Sequence, residues 1–99
     1  MAYEVEWTKA VLQSLDAIVC YLDCEWSQAT SDKFVEELLK RVNVLTKQPF
    51  MGMTSKRDKS IRSIKFSKHS RLYYRIEGEK LILLNIFDLR QHPVKNIYG

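Results

Sequence analysis

The chain has 99 residues, 45% of them hydrophobic and 28% charged, and carries a formal net charge of +4. That length supports one hydrophobic core and is too short for two domains. No apolar run is long enough to cross a bilayer, and the opening MAYEVEWTK lacks the basic and apolar regions of a secretory signal, so a cytoplasmic protein with no membrane partner is expected.

Residues 2–7 alternate Tyr3, Val5 and Trp7 with Glu4 and Glu6, the period of a short strand with one buried face. Thr8 is a suitable N-cap. Val11, Leu12, Leu15, Ile18, Val19 and Leu22 then recur at three and four, which predicts an amphipathic helix ending near Asp23. Trp26 and Ser27 make a tight connection, with Ser27 or Ser31 as the next cap. Phe34, Val35, Leu38, Leu39, Val42 and Leu45 continue a second stripe until Pro49 stops it. Two helices joined so closely form an antiparallel hairpin. Cys20 and Cys24, four apart on a helix, are too far apart for a disulfide and have no second pair to complete a zinc site, so they read as two partly buried thiols.

Residues 48–59 contain Pro49, Gly52 and few packing residues, and read as a loop that carries Lys56, Arg57 and Lys59. From residue 61 the period changes to two. Ile64 and Phe66 alternate with Ser63, Lys65 and Ser67, and Leu72, Tyr74 and Ile76 with Arg71, Tyr73 and Arg75. After the Glu77-Gly78-Glu79 turn, residues 81–87 are apolar on both parities except Asn85, which marks a strand covered on both faces. The predicted fold is therefore α+β: a compact antiparallel sheet of residues 3–7, 61–67, 70–76 and 81–87, with both helices on one face. The tail QHPVKNIYG is apolar enough at Ile97 and Tyr98 to fold back.

Charge divides with the periodicity. Residues 1–50 hold five Lys/Arg against eight Asp/Glu, whereas residues 51–99 hold eleven against four. A basic strand-forming half assigns any polyanion surface to the sheet, and phosphodiester backbones are the commonest polyanion partner. Lys56, Arg57, Lys59, Arg62, Lys68, Tyr73 and Arg75 are the candidate nucleic-acid-binding residues.

The order of strand, helical hairpin, Pro49-to-Gly52 loop, Arg71-Leu72-Tyr73-Tyr74 and a long apolar strand ending in IFDLRQHP resembles the RelE/ParE superfamily of bacterial toxins. The resemblance spans nearly the whole chain. It implies a type II toxin neutralised by a cognate antitoxin, with a helical hairpin packed on an antiparallel sheet. It also implies one of two activities. RelE-like members cleave ribosome-bound mRNA without metal, and ParE-like members poison DNA gyrase. Arg71 matches the arginine that RelE-like enzymes carry in the R-L-x-Y strand, Arg90 the one after the central strand, and Tyr98 a tail tyrosine. In the preceding strand, where such enzymes alternate lysines, this chain has Arg62, Ile64 and Lys65. The long hairpin followed by Pro49 and Gly52 looks more like ParE.

RNA cleavage without metal or other cofactor needs a base for the ribose 2′-hydroxyl, cations for the phosphorane and an acid for the leaving oxygen. Arg71 and Arg90 suit the phosphate, since a planar guanidinium can meet two oxygens at once. His92, which neighbouring arginines would keep neutral, suits the base, with Lys65 as the alternative. Tyr73 and Tyr98 can stack on a base, donate a proton or simply pack. These parts favour a metal-free endoribonuclease acting on the ribosome and its mRNA, with gyrase inhibition or plasmid stabilisation without toxicity as alternatives. The antitoxin is expected to lay an acidic segment across a groove lined by Lys65, Arg71 and Arg75.

Overall fold

The computed structural model describes residues 2–91; His92, Tyr98 and the predicted fold-back of the tail lie outside the described residues. In chain order the elements are β1 (Glu4–Trp7), α1 (Lys9–Glu25), α2 (Gln28–Lys47), a one-turn 3-10 helix (Pro49–Met51), β2 (Met53–Thr54), β3 (Ile61–Lys65), β4 (Ser70–Glu77) and β5 (Lys80–Asp88). They form an α+β fold whose sheet runs β1-β5-β4-β3-β2, with both helices on one face.

Both helices start where their caps dictate. The Thr8 hydroxyl accepts from the Val11 amide and donates to the Leu83 carbonyl at 2.6 Å, so one side chain caps α1 and ties it to β5. Ser27 caps α2 by accepting from the Thr30 amide at 3.1 Å. Ser31, the other candidate cap, is buried and donates instead to Asp23, linking the two helices. The stripes Val11, Ile18, Leu22 and Phe34, Leu38, Val42, Leu45 meet Leu72, Tyr74, Leu81, Leu83 and Ile86 in one core. Phe34 and Phe66 close one end of it, their ring centroids 5.5 Å apart. Cys20 and Cys24 are exposed on α1 and not partly buried, because the apolar stripe turns the opposite side of the helix to the sheet.

The sheet departs from the expected one in three ways. The meander is antiparallel from β2 to β5, but β1 joins β5 in parallel, with Glu4 opposite Lys80 and Trp7 opposite Leu83. Alternation in a strand is the same whichever way the strand points, so β1's period carried no direction. Residues 48–59, predicted to be all loop, contain the 3-10 turn and β2, a two-residue edge strand on β3. Finally, the β4–β5 register slips so that Tyr73 faces Asn85 and Tyr74 faces Leu83. The extra residue, Leu84, shifts the parity of β5 and lets Ile86 join Leu81 and Leu83 in the core.

At the far edge, Tyr74 holds the 3-10 turn. Its buried hydroxyl donates to the Pro49 carbonyl at 2.7 Å and accepts from the Gly52 amide at 3.0 Å. Gly52 is required by this approach, because a Cβ there would stand 2.3 Å from the Tyr74 oxygen. Tyr74→Phe leaves a buried carbonyl and amide without partners and is expected to lower unfolding free energy by about 1 to 3 kcal/mol. Gly52→Ala is expected to cost a similar amount by overpacking, about 1 to 3 kcal/mol. Urea unfolding at neutral pH checks both, and a loss well under 1 kcal/mol in each would mean that the turn is not held by the tyrosine.

Candidate functional site

On the sheet face away from the helices, Lys65, Arg71 and Phe87 stand opposite one another on β3, β4 and β5. They belong to a 370 Å³ cleft completed by Lys68, His69, Ser70 and Leu89. The Arg71 guanidinium donates to the Ser63 hydroxyl at 3.1 Å, which orients it across the strands. Here two lysines, an arginine and an imidazole sit beside an apolar wall, a combination able to hold a phosphate and the base next to it.

Arg90 is not part of that cleft. It lines a second one on the helical side, between the start of α2 and the β3–β4 turn, with Thr30, Lys33, Phe34 and Glu37. Its backbone amide and Nε donate to Asp88 Oδ1 at 2.8 and 3.1 Å, and its Nη2 donates to Oδ2 at 2.9 Å. Asp88 also accepts from the Ser70 hydroxyl at 2.6 Å, and its side chain is fully buried against an Arg90 side chain only 14% exposed. Burial opposes the charged carboxylate, yet the Arg90 and Ser70 hydrogen bonds and the Arg90 charge outweigh it and hold Asp88 below the ordinary value of 3.8. The guanidinium also lies 5.9 Å from the Trp26 ring centroid. Arg90 therefore anchors the end of β5 to the start of β4. Among the described residues, Arg71 and Arg90 line two neighbouring clefts that share Lys68 and His69.

The remaining candidates divide. Tyr73 is only 3% exposed, and burial raises its phenol against the pull of Arg71, so it packs and offers no surface for a base to stack on. Arg62 lies on the helical side of β3, opposite Tyr74, where it donates to the Gly52 carbonyl at 2.8 Å and the Phe50 carbonyl at 3.2 Å. Its guanidinium covers the Phe50 ring at 5.1 Å. It is a brace for the 3-10 turn, as its parity with Ile64 and Phe66 implied. Arg75 is ion-paired with Glu77 and, among the described residues, lines a cleft at the other end of the strands from Lys65 and Arg71. Lys56, Arg57 and Lys59 are exposed in the β2–β3 connection.

Asp88, Ser70 and Trp26 were not among the candidate site residues. The signal for the first was an acid two residues before the arginine at the end of an otherwise apolar strand, since a carboxylate there has to find a cation.

The family model described as "ParE toxin of type II toxin-antitoxin system, parDE" matches residues 5–93. No curated protein sequence matches the chain. Among solved structures, the chromosomal ParDE toxin–antitoxin system of Pseudomonas aeruginosa superposes with a TM-score of 0.71 at 19% identity, covering 88% of this chain and 96% of that one. The toxin–antitoxin complex RelBE2 of Mycobacterium tuberculosis gives 0.62 at 18% identity, over 89% and 99% of the two chains. A YoeB/ParE toxin of Agrobacterium tumefaciens gives 0.61 at 17% identity, over 86% and 96%. At these identities the structural likeness establishes the shared fold.

Proposed function

The chain belongs to the ParE toxin family of type II toxin–antitoxin systems, and from that membership we propose that it arrests growth by binding DNA gyrase without cutting RNA, and that a cognate antitoxin neutralises it. The observation that carries this reading is the engagement of Arg90. The Nε–Nη2 edge of its guanidinium is held by a buried carboxylate, so turning that edge to a phosphorane would leave the carboxylate unpaired. The helical hairpin supplies the binding surface. Leu12, Trp26, Leu39 and Val44 are 40–56% exposed along it, apolar side chains of the kind that anchor protein interfaces.

Endoribonuclease action on ribosome-bound mRNA is the second reading, favoured by the convergence of Lys65, Lys68, His69 and Arg71 in one cleft. In that case His69 occupies the place first assigned to His92. Purified chain added separately to gyrase with relaxed plasmid and to translating ribosomes tells the two apart. The expected result is blocked supercoiling or trapped cleavage complexes with mRNA left intact. Cut mRNA with unaffected supercoiling would overturn the gyrase reading in favour of the nuclease.

A further inference from the structure

Within four residues at the sheet edge, Phe50, Met51 and Met53 are 62%, 42% and 69% exposed. Large apolar side chains in a mobile loop would fold over one another, but here the backbone is fixed. Tyr74 bonds both Pro49 and Gly52, and Arg62 bonds the carbonyls of Phe50 and Gly52. The patch is thus a rigid apolar surface beside an edge strand.

That edge is also open for pairing. The Ser55 amide donates to the Ile61 carbonyl of the β3 side at 2.8 Å, and the alternation of strand backbone turns Thr54's N–H and carbonyl the other way, away from β3. Alongside runs a cleft lined by Phe50, Lys59, Arg62, Arg75 and Ile76, whose one acidic lining residue, Glu77, is paired with Arg75. Apolar anchors, a free strand edge and a cationic trough together select an extended partner with acidic and apolar side chains at alternate positions.

We propose that the β2 edge, with Phe50, Met53 and Thr54, is the docking site for an extended acidic segment of the cognate antitoxin, which adds to the sheet as a sixth strand. The proposal rests on the toxin reading above and moves the contact from the Lys65–Arg71 cleft to the opposite end of the strands. Charge decides the occupant. A second copy of this chain would bring the cations of the β2–β3 connection and of the trough against themselves, whereas an acidic segment meets them with opposite sign.

The test uses the full chain and, as probe, the purified product of the adjoining gene. Titration calorimetry should give about thirtyfold weaker binding for Met53→Glu and for Phe50→Ser, the size of an interface hot spot. Thr54→Pro, which removes only an outward N–H that a strand edge can lose, should weaken binding about tenfold. Leu12→Asp on the hairpin should bind the probe as wild type does. All these side chains are exposed, and matching thermal melts establish that the variants fold. Met53→Glu should still arrest growth while escaping neutralisation. Binding of Met53→Glu and Thr54→Pro within twofold of wild type overturns the proposal, and so does a Met53→Glu variant that loses growth arrest while still binding the probe, since the edge would then face the target. A wild-type chain that binds the probe through this edge but never arrests growth would instead overturn the toxin reading and leave the docking site standing.

Discussion

Replacing Asp88 with alanine is expected to destabilise the chain by about 3 to 5 kcal/mol, the cost of breaking a buried ion pair from one side. The magnitude follows from what Asp88 satisfies: three donors of Arg90 and the Ser70 hydroxyl converge on a fully buried carboxylate. Arg90→Ala should cost a comparable amount by stranding the carboxylate, so it is no clean probe of catalysis. The double variant Asp88→Leu with Arg90→Leu should recover a large part of the loss, because neither charge is then left alone.

The pH dependence has a definite sign. Because the folded pKa of Asp88 is depressed below 3.8, its contribution is complete above that value and disappears as pH falls through the folded pKa. Urea unfolding at pH 7 and at about pH 3 measures it, and the wild type should lose more stability on acidification than the double variant does. A cost under 1 kcal/mol for Asp88→Ala would mean that the guanidinium is free to bind phosphate, and the nuclease reading would recover its second clamp.

The largest functional effect is expected from the hairpin. Leu12→Asp combined with Leu39→Asp places two carboxylates on its exposed apolar surface, 48% and 51% open, without touching the core. If the hairpin meets gyrase, affinity should fall by about a hundredfold or more, the sum of two interface hot spots, and growth arrest should vanish. Arg71→Ala should change inhibition of supercoiling by no more than about threefold, as expected of a charge outside the contact. The nuclease alternative predicts the reverse pattern, with Arg71→Ala losing about 2 to 4 kcal/mol of transition-state stabilisation and the hairpin variant unchanged. Plasmid supercoiling and ribosomal mRNA cleavage, measured side by side on both variants, decide between them.

Local regularities were legible in the sequence, and partnerships between distant segments were not. The helix stripes, the Thr8 cap, the Gly78 turn with its φ of 60° and the face shared by Leu72 and Tyr74 all follow from spacing along one segment. The slip at Leu84 could not be read, because an apolar run on both parities is compatible with either register. Tyr73 alternates with core residues and so seemed open, but it is itself buried. The partner of Arg90 was hidden for a related reason. An arginine announces a charge without saying whether the fold has already supplied the countercharge, and here Asp88 supplies it from two residues away. Arg62 was readable in principle, since its parity with Ile64 put it on the helical side.

The parallel pairing of the first strand with the last has a consequence for synthesis. Thr8 and Leu83, joined by a hydrogen bond, are 75 positions apart, and the apolar stripes of both helices rest on strands from the C-terminal half. While the chain leaves the ribosome, the hairpin has nothing to pack on until nearly all of it has emerged. A toxin built this way acquires its shape late and all at once, which leaves the period of translation as an interval in which its target is safe from it and a waiting antitoxin can reach it first.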